Sequence, residues 1–129
     1  MDIDNEKFEI VMFDLFKSIR FKRPKKGHRY IIDYIQYCFK YDTPPLSIML
    51  WYEMEGSKYN KTAESIERAI RYTCCELSEG QSMRFREIMS NSICNKNYSL
   101  SNSTIMANIF HYMRNNNTIV NSFVKPATI

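Results

Sequence analysis

Apolar residues recur along much of the chain at steps of three and four, the period of a helix with one buried face. Phe8, Val11, Met12, Leu15, Phe16 and Ile19 predict a first helix over about 5–20. Ile31, Ile32, Ile35, Cys38 and Phe39 predict a second over about 28–41. Between the two, Pro24 breaks the helix and Gly27 permits a turn. Asp42-Thr43-Pro44-Pro45 stops the second helix and leads into a third at about 46–56, whose inner face reads Leu46, Met49, Leu50 and Met54. A short polar turn over 56–61 follows, and Thr62 is placed to cap the next helix. That fourth helix, about 62–78, turns Ala63, Ile66, Ala69, Ile70, Thr73 and Leu77 inward, and Gly80 ends it. A fifth, about 81–93, is built on Met83, Phe85, Ile88 and Met89. An Asn/Ser-rich loop over 95–102 precedes a last helix at about 103–114, carried by Ile105, Met106, Ile109, Phe110 and Met113. From Asn115 onward the pattern predicts a tail with no assigned order. The expected architecture is all-α: a compact bundle of about six helices in one domain, 1–114, followed by a C-terminal tail, 115–129.

Composition agrees with that picture and narrows the chemistry. Three Gly and four Pro are too few for a β-rich chain that needs a turn every 8–12 residues or so. At 129 residues, 44% hydrophobic and 14% aromatic, the chain can fill one core, so disorder as the default is excluded. No apolar run approaches the roughly 20 residues that span a bilayer. Asp2, Asp4, Glu6 and Glu9 give the N-terminus the wrong sign for a secretory or transit peptide, and the expected location is cytoplasmic.

Cys38, Cys74, Cys75 and Cys94 form no CxxC pair, and His28 and His111 are the two histidines, so no metal site is expected. The cysteines read as reduced thiols, Cys74 in a core with Cys38 beside it. No Gly-rich phosphate loop, nucleophile elbow or His-x-x-x-His is present, so neither an enzyme nor a cofactor is expected. Trp51 and Tyr52 read as core or interface aromatics, and His111 as a partly buried helix residue.

The net charge of +4 matters because of where the bases fall. Residues 15–32 contain no acid but hold Lys17, Arg20, Lys22, Arg23, Lys25, Lys26 and Arg29. Clustered base on a small helical domain suits a polyanion partner, and Lys25, Lys26 and Arg29 are candidate phosphate contacts. A solvated loop around Pro24 would carry the same residues.

Helix three, short turn and helix four have the spacing of a helix-turn-helix, whose second helix enters the DNA major groove. Opposite its apolar face, helix four carries Glu64, Ser65, Glu67, Arg68, Arg71 and Tyr72. An Arg there can make two parallel hydrogen bonds to guanine, and a Glu can accept from cytosine. Lys58, Lys61 and Thr62 fall where phosphates would pass. The same face would also suit plain solvent exposure, since Glu64–Arg68 and Glu67–Arg71 are Glu-before-Arg pairs at i,i+4.

Tyr59-Asn60-Lys61-Thr62-Ala63-Glu64-Ser65-Ile66-Glu67-Arg68-Ala69-Ile70-Arg71 resembles the recognition-helix signature of one family, the C-terminal DNA-binding domains of the sporulation response regulator Spo0A. Lys26-Gly27-His28-Arg29-Tyr30-Ile31 and Ile35 are similar to the opening of that family's second helix. Asn102-Ser103-Thr104-Ile105-Met106-Ala107 and Arg114 are similar to its last. The resemblance runs through about residues 10–114. It implies a six-helix transcription-factor domain that binds a short double-stranded DNA box, often as tandem copies or a homodimer, in a sporulation-linked role. Carried over residue by residue, it implies base contacts by Glu67, Arg68 and Arg71.

The sequence departs from that pattern at three places. Ser65 stands where the family has Arg, and Glu64 where it has Ser, which makes the expected DNA face less positive. Tyr52-Glu53-Met54-Glu55-Gly56 replaces a Tyr-Pro-x-Ile-Ala run, so a shifted or shortened third helix is expected, with Met54 taking the inner place of Glu55. A receiver domain with its phosphorylated Asp is not legible in 1–9, so the chain reads as a stand-alone effector without a phospho-switch. The competing expectation is a degenerate fold that binds or titrates another regulator, a protein partner in place of DNA.

Overall fold

The computed structural model describes residues 1–90 and 101–126. Seven helices run through them in the order α1 (Asn5–Ile19), α2 (Lys26–Tyr41), α3 (Ile48–Tyr59), α4 (Ala63–Ser78), α5 (Met83–Ile88), α6 (Asn102–Arg114) and α7 (Asn117–Asn121). The architecture is all-α, and strand pairing among the described residues is limited to one isolated antiparallel bridge, Ile3 with Val124. No helix among them is long and apolar enough to cross a membrane.

α4 packs against both α2 and α3, and α6 packs against α2 and α4. The stripes expected for α1, α2, α4 and α6 are buried, apart from Val11, Ala63 and Ala69, which are half-buried against the core: Phe8, Met12, Leu15, Phe16 and Ile19; Ile31, Ile32, Ile35, Cys38 and Phe39; Ile66, Ile70, Thr73 and Leu77; Ile105, Met106, Ile109, Phe110 and Met113. Cys38 and Cys74 are buried free thiols, pushed up to about 12 by desolvation and so inert near neutral pH.

Several expectations are corrected. α2 starts at Lys26, so Gly27 is helical and its task differs from a turn's: a Cβ there would stand 2.3 Å from the Ala69 carbonyl oxygen of α4. Its missing side chain is what lets two backbones approach.

α3 is rotated relative to its expected face. Trp51, Tyr52, Glu55 and Gly56 are buried, whereas Leu46, Met49, Leu50 and Met54 are exposed, Leu46 fully so. Two apolar stripes competed on this helix, and the one with the aromatics prevailed because each large ring buries about 150–250 Å². Met54 therefore does not take the place of Glu55. The helix also continues to Tyr59, which shortens the turn to residues 60–62. Asn60 closes it in the left-handed conformation (φ 56°), and Gly56 leaves room for the Lys61 carbonyl, 2.5 Å from where a Cβ would sit.

α5 ends at Ile88 with Met83 exposed. Residues 91–93 of the expected fifth helix, Cys94, Lys96 and most of the Asn/Ser loop lie outside the described residues. His111 is exposed rather than partly buried.

The stretch after Arg114 is packed. α7 is capped by Asn116, and Phe123 is fully buried with its ring edge-on to Phe8 (5.1 Å between centroids) and Phe39 (5.2 Å). The Asp4 amide donates to the Phe123 carbonyl at 2.8 Å and the Lys125 amide to that of Asp2 at 3.0 Å. Ile119, Val120, Phe123 and Val124 repeat at helical spacing, the signal that three consecutive asparagines obscured.

Candidate nucleic-acid interface

The turn between α3 and α4 is built by local chemistry at each end. Thr62 caps α4 as expected: its hydroxyl accepts from the Ser65 amide at 3.1 Å. That contact satisfies one of the orphan donors of the first turn and leaves the others free for an anion.

α4 presents Glu64, Ser65, Arg68, Arg71 and Tyr72 to solvent, with Glu67 half-buried between them. Of the two anticipated i,i+4 pairs, Glu67–Arg71 is formed at 3.4 Å, and no Glu64–Arg68 ion pair is present among the described residues. The Arg71 guanidinium also lies over the Tyr72 ring at 5.7 Å from its centroid. An exposed pair of this kind contributes about 0.2–0.5 kcal/mol and an exposed cation–π contact about 0.5–1 kcal/mol. Arg71 is thus pre-oriented by interactions weak enough to yield to a better acceptor, while Arg68 is unengaged among the described residues. Glu67, Arg68 and Arg71 come together within one turn of the same face.

The anticipated phosphate contacts divide. Lys61 is exposed beside the turn. Lys58 is exposed too, but its ammonium stands 3.4 Å from Asp33 of α2. Within the basic run, Lys22, Arg23 and Lys26 face solvent. Lys25 and Arg29 are held inward. Lys25 pairs with the buried Glu76 of α4, and Arg29 pairs with Glu9 of α1 while its second nitrogen lies 3.8 Å from Asp33.

Several residues that position this face carried no signal in the sequence. Asp33, almost fully buried, accepts from the Tyr59 hydroxyl and faces Lys58, Arg29 and Glu55. Burial, then Asp33 as hydrogen-bond partner and like charge, holds the Glu55 carboxyl well above the usual carboxylate range, and one of its oxygens has no partner. Burial alone would raise Glu76, but the Lys25 hydrogen bond and charge prevail and hold it low. His28 is buried against Phe16 and Phe21, accepts from the Lys25 amide at 3.0 Å, and is kept neutral chiefly by desolvation. Asn102, at the start of α6, donates to the Tyr52 hydroxyl and to the Glu67 carbonyl, both at 3.2 Å. Periodicity does not identify these contacts, because most of them join residues 22 to 51 positions apart.

The arrangement is a solvent-facing, arginine-bearing helix behind a three-residue turn, anchored from beneath by buried polar contacts. No group of three or more His, Cys, Asp or Glu able to hold a metal occurs among the described residues. Compared with known protein families, residues 12–113 match the family described as sporulation initiation factor Spo0A C terminal. The comparisons with curated proteins and with solved structures found no match.

Proposed function

The chain belongs to the Spo0A C-terminal family, DNA-binding domains of sporulation regulators, and on that premise we propose that it is a sequence-specific transcription regulator whose α4 enters the major groove of double-stranded DNA. The observation that carries this reading is the outward pair Arg68 and Arg71 on the helix that follows a three-residue turn. A guanidinium can donate two parallel hydrogen bonds to guanine O6 and N7, and Glu67 can accept from a cytosine amino group. Arg71 exchanges its weak hold on Glu67 for a base edge, which frees the Glu67 carboxylate for its own contact. Glu64, Ser65 and Tyr72 flank this pair and tune the box that is read. Lys61 and Lys26 meet phosphate directly, the free amides of the first turn of α4 add a second anchor, and Thr62 orders that turn. Lys58 is shared between phosphate and Asp33. Lys25 and Arg29, engaged with carboxylates, contribute field more than contact. Family analogy favours binding as tandem copies or a homodimer on adjacent boxes.

The test is fluorescence-anisotropy titration of a duplex selected from a random pool by the protein, and of a scrambled duplex, at two salt concentrations. Arg68→Ala should cost about 1–3 kcal/mol on the selected duplex and leave thermal stability unchanged. Replacing Lys22, Arg23 and Lys26 together should weaken both duplexes alike and flatten the salt dependence. Equal binding of both duplexes, indifferent to Arg68, would refute sequence reading.

A second reading has its own observation. Met49, Leu50 and Met54 form an exposed apolar stripe along α3, with Leu46 exposed just before the helix and Glu64 and Ser65 lowering the positive charge of the neighbouring face. Contiguous exposed apolar surface marks protein interaction sites. A domain that binds or titrates another regulator would use that stripe, and Leu50→Glu would abolish its action while leaving DNA affinity intact.

A further inference from the structure

The helix bearing the arginines is not held to the domain by apolar packing alone. Among the described residues, Asn102 is the side chain that hydrogen-bonds both helices of the helix–turn–helix portion. Its amide nitrogen donates to the Tyr52 hydroxyl of α3 and to the Glu67 main-chain carbonyl of α4, each at 3.2 Å. The helical cap of α6 does not need this side chain, because the Ser101 hydroxyl already accepts from the Thr104 amide at 3.2 Å. The Glu67 carbonyl lies within the single turn that carries Glu67, Arg68 and Arg71, so this bond fixes the part of α4 whose rotation aims the arginines. Tyr52 is buried, and its hydroxyl has no other hydrogen-bond partner among the described residues, which ties the contact to the core.

We infer that Asn102 is a positioning residue for base reading: a clamp from α6 that fixes the rotation and height of α4 against α3, and so the aim of Arg68 and Arg71. This rests on the DNA-reading proposal above. A binding constellation loses specificity when its supporting groups let it drift by more than about 0.5 Å or 10–20°. Phosphate contacts tolerate such drift far better, because they depend on charge more than on direction.

Asn102→Asp separates the clamp from the fold. The two side chains match in size, and aspartate in the first turn of α6 suits the helix dipole. Its carboxylate would take the Tyr52 contact with the direction reversed, accepting from the hydroxyl that Asn102 donates to, but has no proton to give the Glu67 carbonyl. Asn102→Ala serves as the uncharged counterpart, and Tyr52→Phe keeps the Glu67 bond while removing the other. Binding to the selected and the scrambled duplex is measured well below the melting temperature of each variant, with Arg68→Ala alongside. Both Asn102 variants should lose about tenfold or more of the preference for the selected duplex, with affinity for the scrambled one within about threefold of its starting value and Asn102→Asp melting near wild type. Tyr52→Phe should keep most of the preference. Wild-type preference in either Asn102 variant, with Arg68→Ala still losing it, overturns the clamp and leaves the DNA reading standing. No preference in the wild type overturns both.

Discussion

Gly27→Ala adds one methyl group at the closest approach of α2 to α4. The new Cβ would lie 2.0 Å from the Thr73 hydroxyl oxygen, 2.8 Å from the Thr73 Cβ and 2.3 Å from the Ala69 carbonyl oxygen. Ordinary non-bonded separations run to about 3.5–4.0 Å. Rotating Thr73 could relieve the first contact, at the expense of its hydroxyl bond to Ala69 O (3.1 Å). The backbone carbonyl has no such freedom, so the helices must part by about 1 Å. Forcing a methyl into a close-packed interface costs about 1–3 kcal/mol and sometimes more. The opposing gain, alanine over glycine in a helix, is at most about 1 kcal/mol and smaller in a first turn. With that gain small in a first turn, a net loss of about 1–3 kcal/mol follows, which for a domain this size lowers Tm by about 3–6 °C per kcal/mol. Urea denaturation followed by far-UV circular dichroism reads it, with Thr73→Ala and the double variant completing a cycle. Thr73→Ala removes the hydroxyl contact and leaves those with the residue 73 Cβ and the Ala69 carbonyl, so the double variant should recover only part of the loss. A Gly27→Ala protein within about 0.5 kcal/mol of wild type, at unchanged m, would refute the α2–α4 contact as described.

Glu55→Gln should remove a pH dependence. Because the folded state holds this proton above the ordinary carboxylate range, the wild type loses stability as pH rises from about 4.5, by up to about 1.4 kcal/mol per unit, until the folded group itself ionises. The variant should therefore match wild type near pH 4 and melt higher at pH 8; equal melting at both would count against a protonated Glu55. Lys25→Ala strands the buried Glu76 carboxylate, whose partner is itself about one-third exposed, and should cost about 1–3 kcal/mol in urea unfolding. Lys25→Ala combined with Glu76→Gln should recover much of that, and failure to do so would mean the pair does not couple α2 to α4. Leu50→Ser, on the exposed side of α3, should change stability by less than about 0.5 kcal/mol, whereas the same thermal melt on Tyr52→Ala should show a loss of about 3 kcal/mol or more.

How far the fold could be read in advance depended on whether a helix carried one apolar stripe or two. α1, α2, α4 and α6 carry one each, and there the 3.6-residue period names the buried residues directly. α3 carries Met49, Leu50 and Met54 on one side, with Leu46 just ahead of them, and Trp51, Tyr52 and Tyr59 on the other. Periodicity cannot rank two stripes, and a glutamate at 55 on the aromatic side argues locally for the wrong one. What decides is Asp33, which lies 22 positions earlier and gives that glutamate a partner it can share a proton with. The outward face of α4 was legible because its polar residues fall opposite an unambiguous core. Its supports were not, since Lys25 and Arg29 look like free base until Glu76, Glu9 and Asp33 are brought up to them by the packing.

Those supports share a character that bears on function. Asp33 with Tyr59 and Lys58 fixes the end of α3, Lys25 with Glu76 fixes the end of α4, and Asn102 ties the middle of α4 to α3. Apolar contacts are non-directional and tolerate a helix sliding or rolling by a fraction of an ångström. Hydrogen bonds weaken steeply off line, and a buried polar group left unmatched costs about 1–3 kcal/mol. α3 and α4, located together by three such contacts, are therefore held in one rotation as well as one place, as a face that reads base edges would require and a face serving solubility alone would not. The exposed stripe on α3 is the complementary result: with the aromatic side turned to the core, its leucine and methionine side chains remain outside, on the helix next to α4.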